Sequence, residues 1–204
     1  MNSISFSLNA FAAKQCRRAV HGLAVAVALL VAGTVHGDDH NGSDPELAYA
    51  AASNQPAVEI RGHACVVDGD TLAFGGETRN GRCIGGRIVH LDGIDAPELA
   101  QTCRDGFYVT IACGRYARSH LIVMTRQRLV RCLARPSKRQ GHHRGTCFTT
   151  GTNLNTMMIN AGMALAAPGA SGAMASAERR ARTGRNGIWQ MRFTAPWMWR
   201  RTHT

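Results

Sequence analysis

Five short strand-like segments, a turn-rich middle and a helix-rich second half predict a mixed α/β (α+β) fold. The arrangement suits a small five-stranded Greek-key β-barrel of the OB type with about three α-helices. Residues 58–67 and 71–74 read as strands joined by an acidic turn, Asp68-Gly69-Asp70. Residues 77–86 carry Asn80-Gly81 and Gly85-Gly86, strong turn signals that predict a longer hairpin end. Residues 87–94 form the third strand, broken by Gly93 and Pro97. A helix follows over 113–127, where Ala117, Leu121 and Met124 recur at helical spacing. Residues 128–133 and 142–149 are short strands around a basic loop, Arg135-Pro136-Ser137-Lys138-Arg139. Asn153 can cap a helix running to Ala161 and ended by Gly162. A further helix spans 174–185, stopping near Gly184, and the Trp-rich stretch 189–199 is expected to pack back on the body.

Ahead of this fold the chain reads differently. Lys14, Arg17 and Arg18 precede an apolar run over residues 23–35, then Gly37 and Asp38-Asp39. That is the layout of a secretory signal peptide over 1–37, an uncleaved anchor being the competing reading. Residues 38–57 are polar and aperiodic, a flexible leader to a domain at 58–201. Residues 1–37 hold three of the 24 Lys and Arg and none of the 13 acids; the remaining 167 residues therefore carry a net charge of +8. This is enough chain for one domain with a core. Its charge favours nucleic acid, anionic lipid or another acidic polymer. No other apolar run is long enough to span a membrane, and a monomer is expected. Beyond residue 37 six cysteines remain, an even number that in a periplasmic or secreted protein reads as disulfides. Six cysteines allow 15 pairings, and spacing does not choose among them. A zinc site competes, although no Cys-x-x-Cys pair occurs.

The stretch Arg87-Ile88-Val89-His90-Leu91-Asp92-Gly93-Ile94-Asp95-Ala96-Pro97-Glu98 ends an apolar strand in an acidic turn. With Asp68-Gly69-Asp70-Thr71 it gathers Asp70, Asp95 and Glu98 in an otherwise basic chain. Crowded carboxylates repel, so such a site gains a cation or a shifted pKa. A hard cation within a basic protein suits phosphate chemistry, since both favour a polyanion.

These residues resemble the staphylococcal-nuclease-like (thermonuclease) family. Asp68-Gly69-Asp70-Thr71 is similar to its first acidic turn; Gly93-Ile94-Asp95-Ala96-Pro97-Glu98, with Gln101 and Cys103, to its second. Gly151-Thr152-Asn153-Leu154-Asn155, Gly187-Ile188-Trp189, Phe193, Pro196, Trp199 and Arg200 follow in the family's order. The resemblance implies the same barrel, with Cys65 joined to Cys83, Cys103 to Cys113 and Cys132 to Cys147. It implies one calcium ion held by the carboxylates of Asp70 and Asp95 and the backbone carbonyl of Ala96. Glu98 would position or deprotonate the attacking water, and the substrate would be DNA or RNA.

Two positions depart from the family pattern: where it has arginines, this chain has His90 and His142. Arginine grips phosphate with two parallel donors at any relevant pH, whereas histidine, with a reference pKa of ~6.5, is largely neutral at pH 7. Losing one charged donor from a preorganised site costs ~3–4 kcal/mol of transition-state stabilisation. Arg144, two residues past His142 on one strand face, and Arg139 of the basic loop are the candidate substrate contacts. The helix after Asn153 is followed by Gly162–Ala173 without an aromatic to stack a base. The expectation is a weakened calcium-dependent endonuclease biased toward mildly acid pH, or else an inactive barrel that binds nucleic acid or other polyanions.

Overall fold

The computed structural model describes residues 56–203; the signal segment and most of the leader expected from the sequence lie outside them. Val66, Leu72, Val89 and Leu91 alternate along short strands and are all buried, the mark of a sheet with one face on a core. The strands are β1 (Val58–Gly62), β2 (Ala64–Asp68), β3 (Thr71–Phe74), β4 (Glu77–Arg79), β5 (Arg82–Ile84) and β6 (Arg87–Leu91). They continue with β7 (Ile94–Asp95), β8 (Cys103–Arg104), β9 (Thr110–Ile111), β10 (Val130–Pro136), β11 (His142–Thr149), β12 (Thr152–Asn153) and β13 (Leu165–Ala166). The helices are α1 (Cys113–Thr125), α2 (Leu154–Asn160), α3 (Gly172–Thr183) and α4 (Pro196–Thr202), with a 3₁₀ turn at Gly187–Gln190. None of the described helices is long and apolar enough to cross a membrane.

The main sheet runs β1-β10-β11-β6-β3-β2. Its two edges, β1 and β2, are successive segments of one bent strand interrupted at His63, so the sheet curls round on itself. The result is the expected mixed α/β, OB-type fold, with four helices among the described residues where about three were expected. The expected strand at 128–133 begins two residues later and runs on into the basic loop as far as Pro136. The turn signals at 77–86 form the β4–β5 hairpin, whose two-residue loop Asn80-Gly81 has φ of 51° and 73°, the left-handed pair that a tight hairpin needs.

Leu72, Val89, Leu91, Leu121, Leu154 and Met158 fill the barrel, all 0–1% exposed. Asn153 caps α2, its side chain accepting from the Thr156 N–H. Asn155 is fully buried and ties two elements together: its Oδ1 accepts from Cys147 N–H, and its Nδ2 donates to the carbonyls of Asp92 and Gly145. The turn after β6 is thereby fixed to β11. Three disulfides form, Cys65–Cys83, Cys103–Cys113 and Cys132–Cys147, the pairings that the resemblance implied. Trp189, Phe193 and Trp197 pack on a second small cluster around Cys103, Cys113 and Ile188, so the Trp-rich stretch does fold back.

Candidate functional site

The first acidic turn joins β2 to β3. Asp68 Oδ1 accepts from the Asp70 N–H at 3.1 Å, which closes the turn. Gly69 has no alternative here, since a Cβ would strike Ala96 of the second acidic turn and Ala117 of α1. The second turn follows β6 and is held from below by pairing of β7 with β13. One bond joins the two turns directly: Ala96 N–H donates to Asp70 Oδ2 at 2.8 Å. Burial, and then the neighbouring Asp68, push the Asp70 carboxyl well above the usual carboxylate range.

Glu98 is set by its surroundings through the backbone. Its N–H donates to Gln101 Oε1 at 3.2 Å, and its carbonyl accepts from Gln101 N–H at 2.7 Å. Gln101 is fully buried and its Nε2 donates to the Thr194 carbonyl at 2.7 Å, tying this turn to the C-terminal segment. Gly114, in the first turn of α1, lets the helix press on Glu98: an added Cβ would overlap the Glu98 carbonyl oxygen.

His90 and His142 meet because β6 and β11 run parallel, with His142 level with Ile88 and Arg144 level with His90. Their rings lie 5.2 Å apart at 18°, and His90 Nε2 is 2.9 Å from His142 Nδ1. His90 Nδ1 is 3.0 Å from Thr71 Oγ1, whose hydroxyl donates to Asp70 Oδ1 at 2.9 Å. With Asp70 ionised and His90 neutral, one direction satisfies the whole chain. The Thr71 hydroxyl is spent on the carboxylate, so His90 Nδ1–H donates to Thr71, and His142 Nδ1–H donates to His90 Nε2. That direction needs no charge on either ring. Their pKa values agree: burial and then His142 lower that of His90, and burial, Arg139 and His143 lower that of His142.

A cleft of about 550 Å³ brings together Asp68, Asp70, Asp95, Glu98 and His90. Arg139 and Arg144 line it too, and with His90 they also line an adjoining hollow of about 640 Å³ that reaches Arg135 and Lys138. His142 touches the cleft through His90. Arg144 rests on Asp92, its Nε donating to Oδ1 at 3.0 Å.

A cleft residue outside the sequence-based set is Arg200, from α4. Its Nη1 and Nη2 donate to Asp95 Oδ1 and Oδ2 at 2.9 and 2.7 Å, and Nη1 also reaches Glu98 Oε1 at 2.6 Å. The hydrogen bond to Asp95, chiefly, raises the guanidinium pKa further. Arg200 stood in the sequence only as a landmark; nothing local tied it to carboxylates 105 and 102 residues away. Thr71 was likewise visible only as the end of a turn motif.

Among the described residues no three His, Cys, Asp or Glu side chains form a ready-made metal cage. The donors nonetheless suit a hard cation: Asp70, Asp95 and the Ala96 carbonyl all offer oxygen. Burial first, and Asp68 second, raise the Asp70 carboxyl, and a cation there would favour its ionised form. At Asp95 such an ion would have to contend with Arg200.

A family model described as staphylococcal nuclease homologue matches residues 88–191. The chain is also 34% identical over 137 residues to the succinoglycan biosynthesis protein ExoI of Rhizobium meliloti (strain 1021), covering 66% of each protein, so it spans just under two thirds of that relative's length. The first acidic turn and Arg200 lie outside the family-model match but are bonded to its core at Ala96 and Asp95. With the match covering half of its length, the chain belongs to the staphylococcal nuclease homologue family.

Proposed function

We propose that this protein is an exported, calcium-dependent endonuclease that hydrolyses phosphodiester bonds of DNA or RNA, with turnover weakened by His90 and His142. The observation that carries this reading is the bond from Ala96 N–H to Asp70, which draws the two acidic turns into one cleft opening on a cationic hollow. Asp70, Asp95 and the Ala96 carbonyl would hold the ion, which supplies a charge that polarises the phosphodiester. Glu98, oriented by Gln101, takes the proton of the attacking water. Arg139 and Arg144 attract and orient the phosphate backbone. His90 and His142 grip phosphate only when protonated, and their lowered pKa values put that form on the acid side of 6.5. The domain is proposed to span 58–201 behind a signal at 1–37 and a leader at 38–57; the three disulfides support export to the periplasm or beyond.

A second reading is a barrel that binds polyanions without cutting them. The neutral histidine pair favours it, and so does a relative named for succinoglycan biosynthesis rather than for a nuclease. The deciding experiment is hydrolysis of single-stranded DNA with calcium and with chelator, from mildly acid to alkaline pH, beside a Glu98→Gln control. Calcium-dependent cutting that is strongest at acid pH and absent from the control is the expected result. Binding without cutting at every pH establishes the second reading instead.

A further inference from the structure

Arg200 and Asp95 are unequal partners. The Asp95 side chain is 9% exposed and that of Arg200 43%, so the carboxylate is walled in while the arginine side chain reaches solvent. The base of α4 is anchored: Pro196 is buried, Trp197 packs beside the Cys103–Cys113 disulfide, and Gln101 holds the Thr194 carbonyl. A rival cation at Asp95 would therefore move the Arg200 side chain rather than the helix. His90 and His142 are bonded to each other and His90 to Thr71, while Arg139 and Arg144, the latter with its Nε on Asp92, line the cleft where it meets the adjoining hollow.

We propose that Arg200 is a further phosphate-gripping residue of this cleft, beside the carboxylates, and that it takes up that role when a divalent cation displaces it from Asp95. The inference rests on the metal-dependent reading above. Two positive groups on one carboxylate repel, and the doubly charged ion is favoured there. The planar fork that now matches both oxygens of Asp95 matches two oxygens of a phosphate equally well. The contact from Nη1 to Glu98 keeps the displaced guanidinium within the cleft, beside the group that handles water. Cation and phosphate binding are thus coupled through one side chain, and the coupling is reciprocal.

The test is calorimetric titration of the intact chain and of Arg200→Gln with calcium alone, with thymidine 5′-monophosphate alone, and with the nucleotide at saturating calcium. In the variant, calcium alone should bind about tenfold more tightly, within the range of ordinary coupling between sites. The nucleotide should bind about tenfold more weakly, but only when calcium is present. Arg200→Lys, which keeps the charge and loses the fork, should fall between the two, and it carries the same three comparisons if Arg200→Gln does not fold. Equal loss of nucleotide binding with and without calcium, or no gain in calcium affinity, overturns the proposal. If no protein binds calcium at millimolar concentration, the proposal and the metal reading fall together. If the couplings appear but DNA is not cut, the proposal stands and the hydrolytic reading falls.

Discussion

The two walls of the cleft are built in opposite ways. On the acidic wall backbone groups hold two carboxylates, Asp68 by the Asp70 N–H and Asp70 by Ala96, and buried Gln101 fixes the backbone of Glu98. On the cationic wall Arg135, Lys138 and Arg139 are exposed on or beside a loop, and Arg144 pairs with an Asp92 side chain that is 59% exposed. The acidic wall is therefore part of the folding core, and changing it disturbs the barrel. The cationic wall is decoration on a finished sheet, and there residue types can change at little cost to the fold. The departures from the family pattern, His90 and His142, both stand at the seam between the two.

The comparison breaks most sharply at Glu98. Glu98→Gln keeps the shape and removes the proton acceptor, so hydrolysis should fall by a factor of ~10² to 10⁴. Single-turnover cleavage of DNA checks this, with thermal melting to show that the fold is unchanged. Gly114→Ala probes the backing of the same wall. Alanine favours a helix by up to ~1 kcal/mol, but its Cβ would overlap a backbone oxygen that cannot swing away. The clash should win, with a net loss of ~1–3 kcal/mol read from urea unfolding.

Acid pH sharpens the contrast at the seam. His90, His120 and His143 all have pKa values lowered from 6.5, chiefly by burial. As pH falls below 6.5 the unfolded chain takes up these protons first. Stability present above that value is therefore lost on the acid side, where the histidine pair would best hold phosphate. Urea midpoints at neutral and mildly acid pH should show the decline, and His120→Gln, away from the cleft, should reduce it without altering the pH profile of cleavage. The smallest effect belongs to Arg144→Ala. An ion pair whose side chains are both more than half exposed contributes under ~1 kcal/mol, so melting should barely move while DNA affinity drops and becomes less salt-sensitive.

Local signals in the chain carried the elements well. The cap at Asn153, the Asn80-Gly81 loop, the apolar spacing of α1 and the Asp-Gly-Asp turn each depend on a few neighbouring residues, and each is found as a turn, cap or face. Contacts across the barrel were less legible. The break at His63 lets one strand pair at both edges of the sheet, which no alternation pattern encodes. The meeting of His90 with His142 depends on a parallel register across 52 residues. Arg200 reaches Asp95 from a short helix whose own sequence says only that it starts at a proline. The family resemblance could carry the carboxylates over position by position, but it contained no partner for either histidine.

The direct bond between the two histidines also bears on how such a sequence can change over generations. An arginine introduced at 90 alone would require the His142 proton to move from Nδ1 to Nε2, so that Nδ1 accepts; an arginine at 142 alone would replace the donor that His90 Nε2 now faces. Either single step therefore resets the ring that remains, while the double replacement gives two cations. The two sites are thus directly coupled, and their substitutions should be non-additive in a double-mutant cycle.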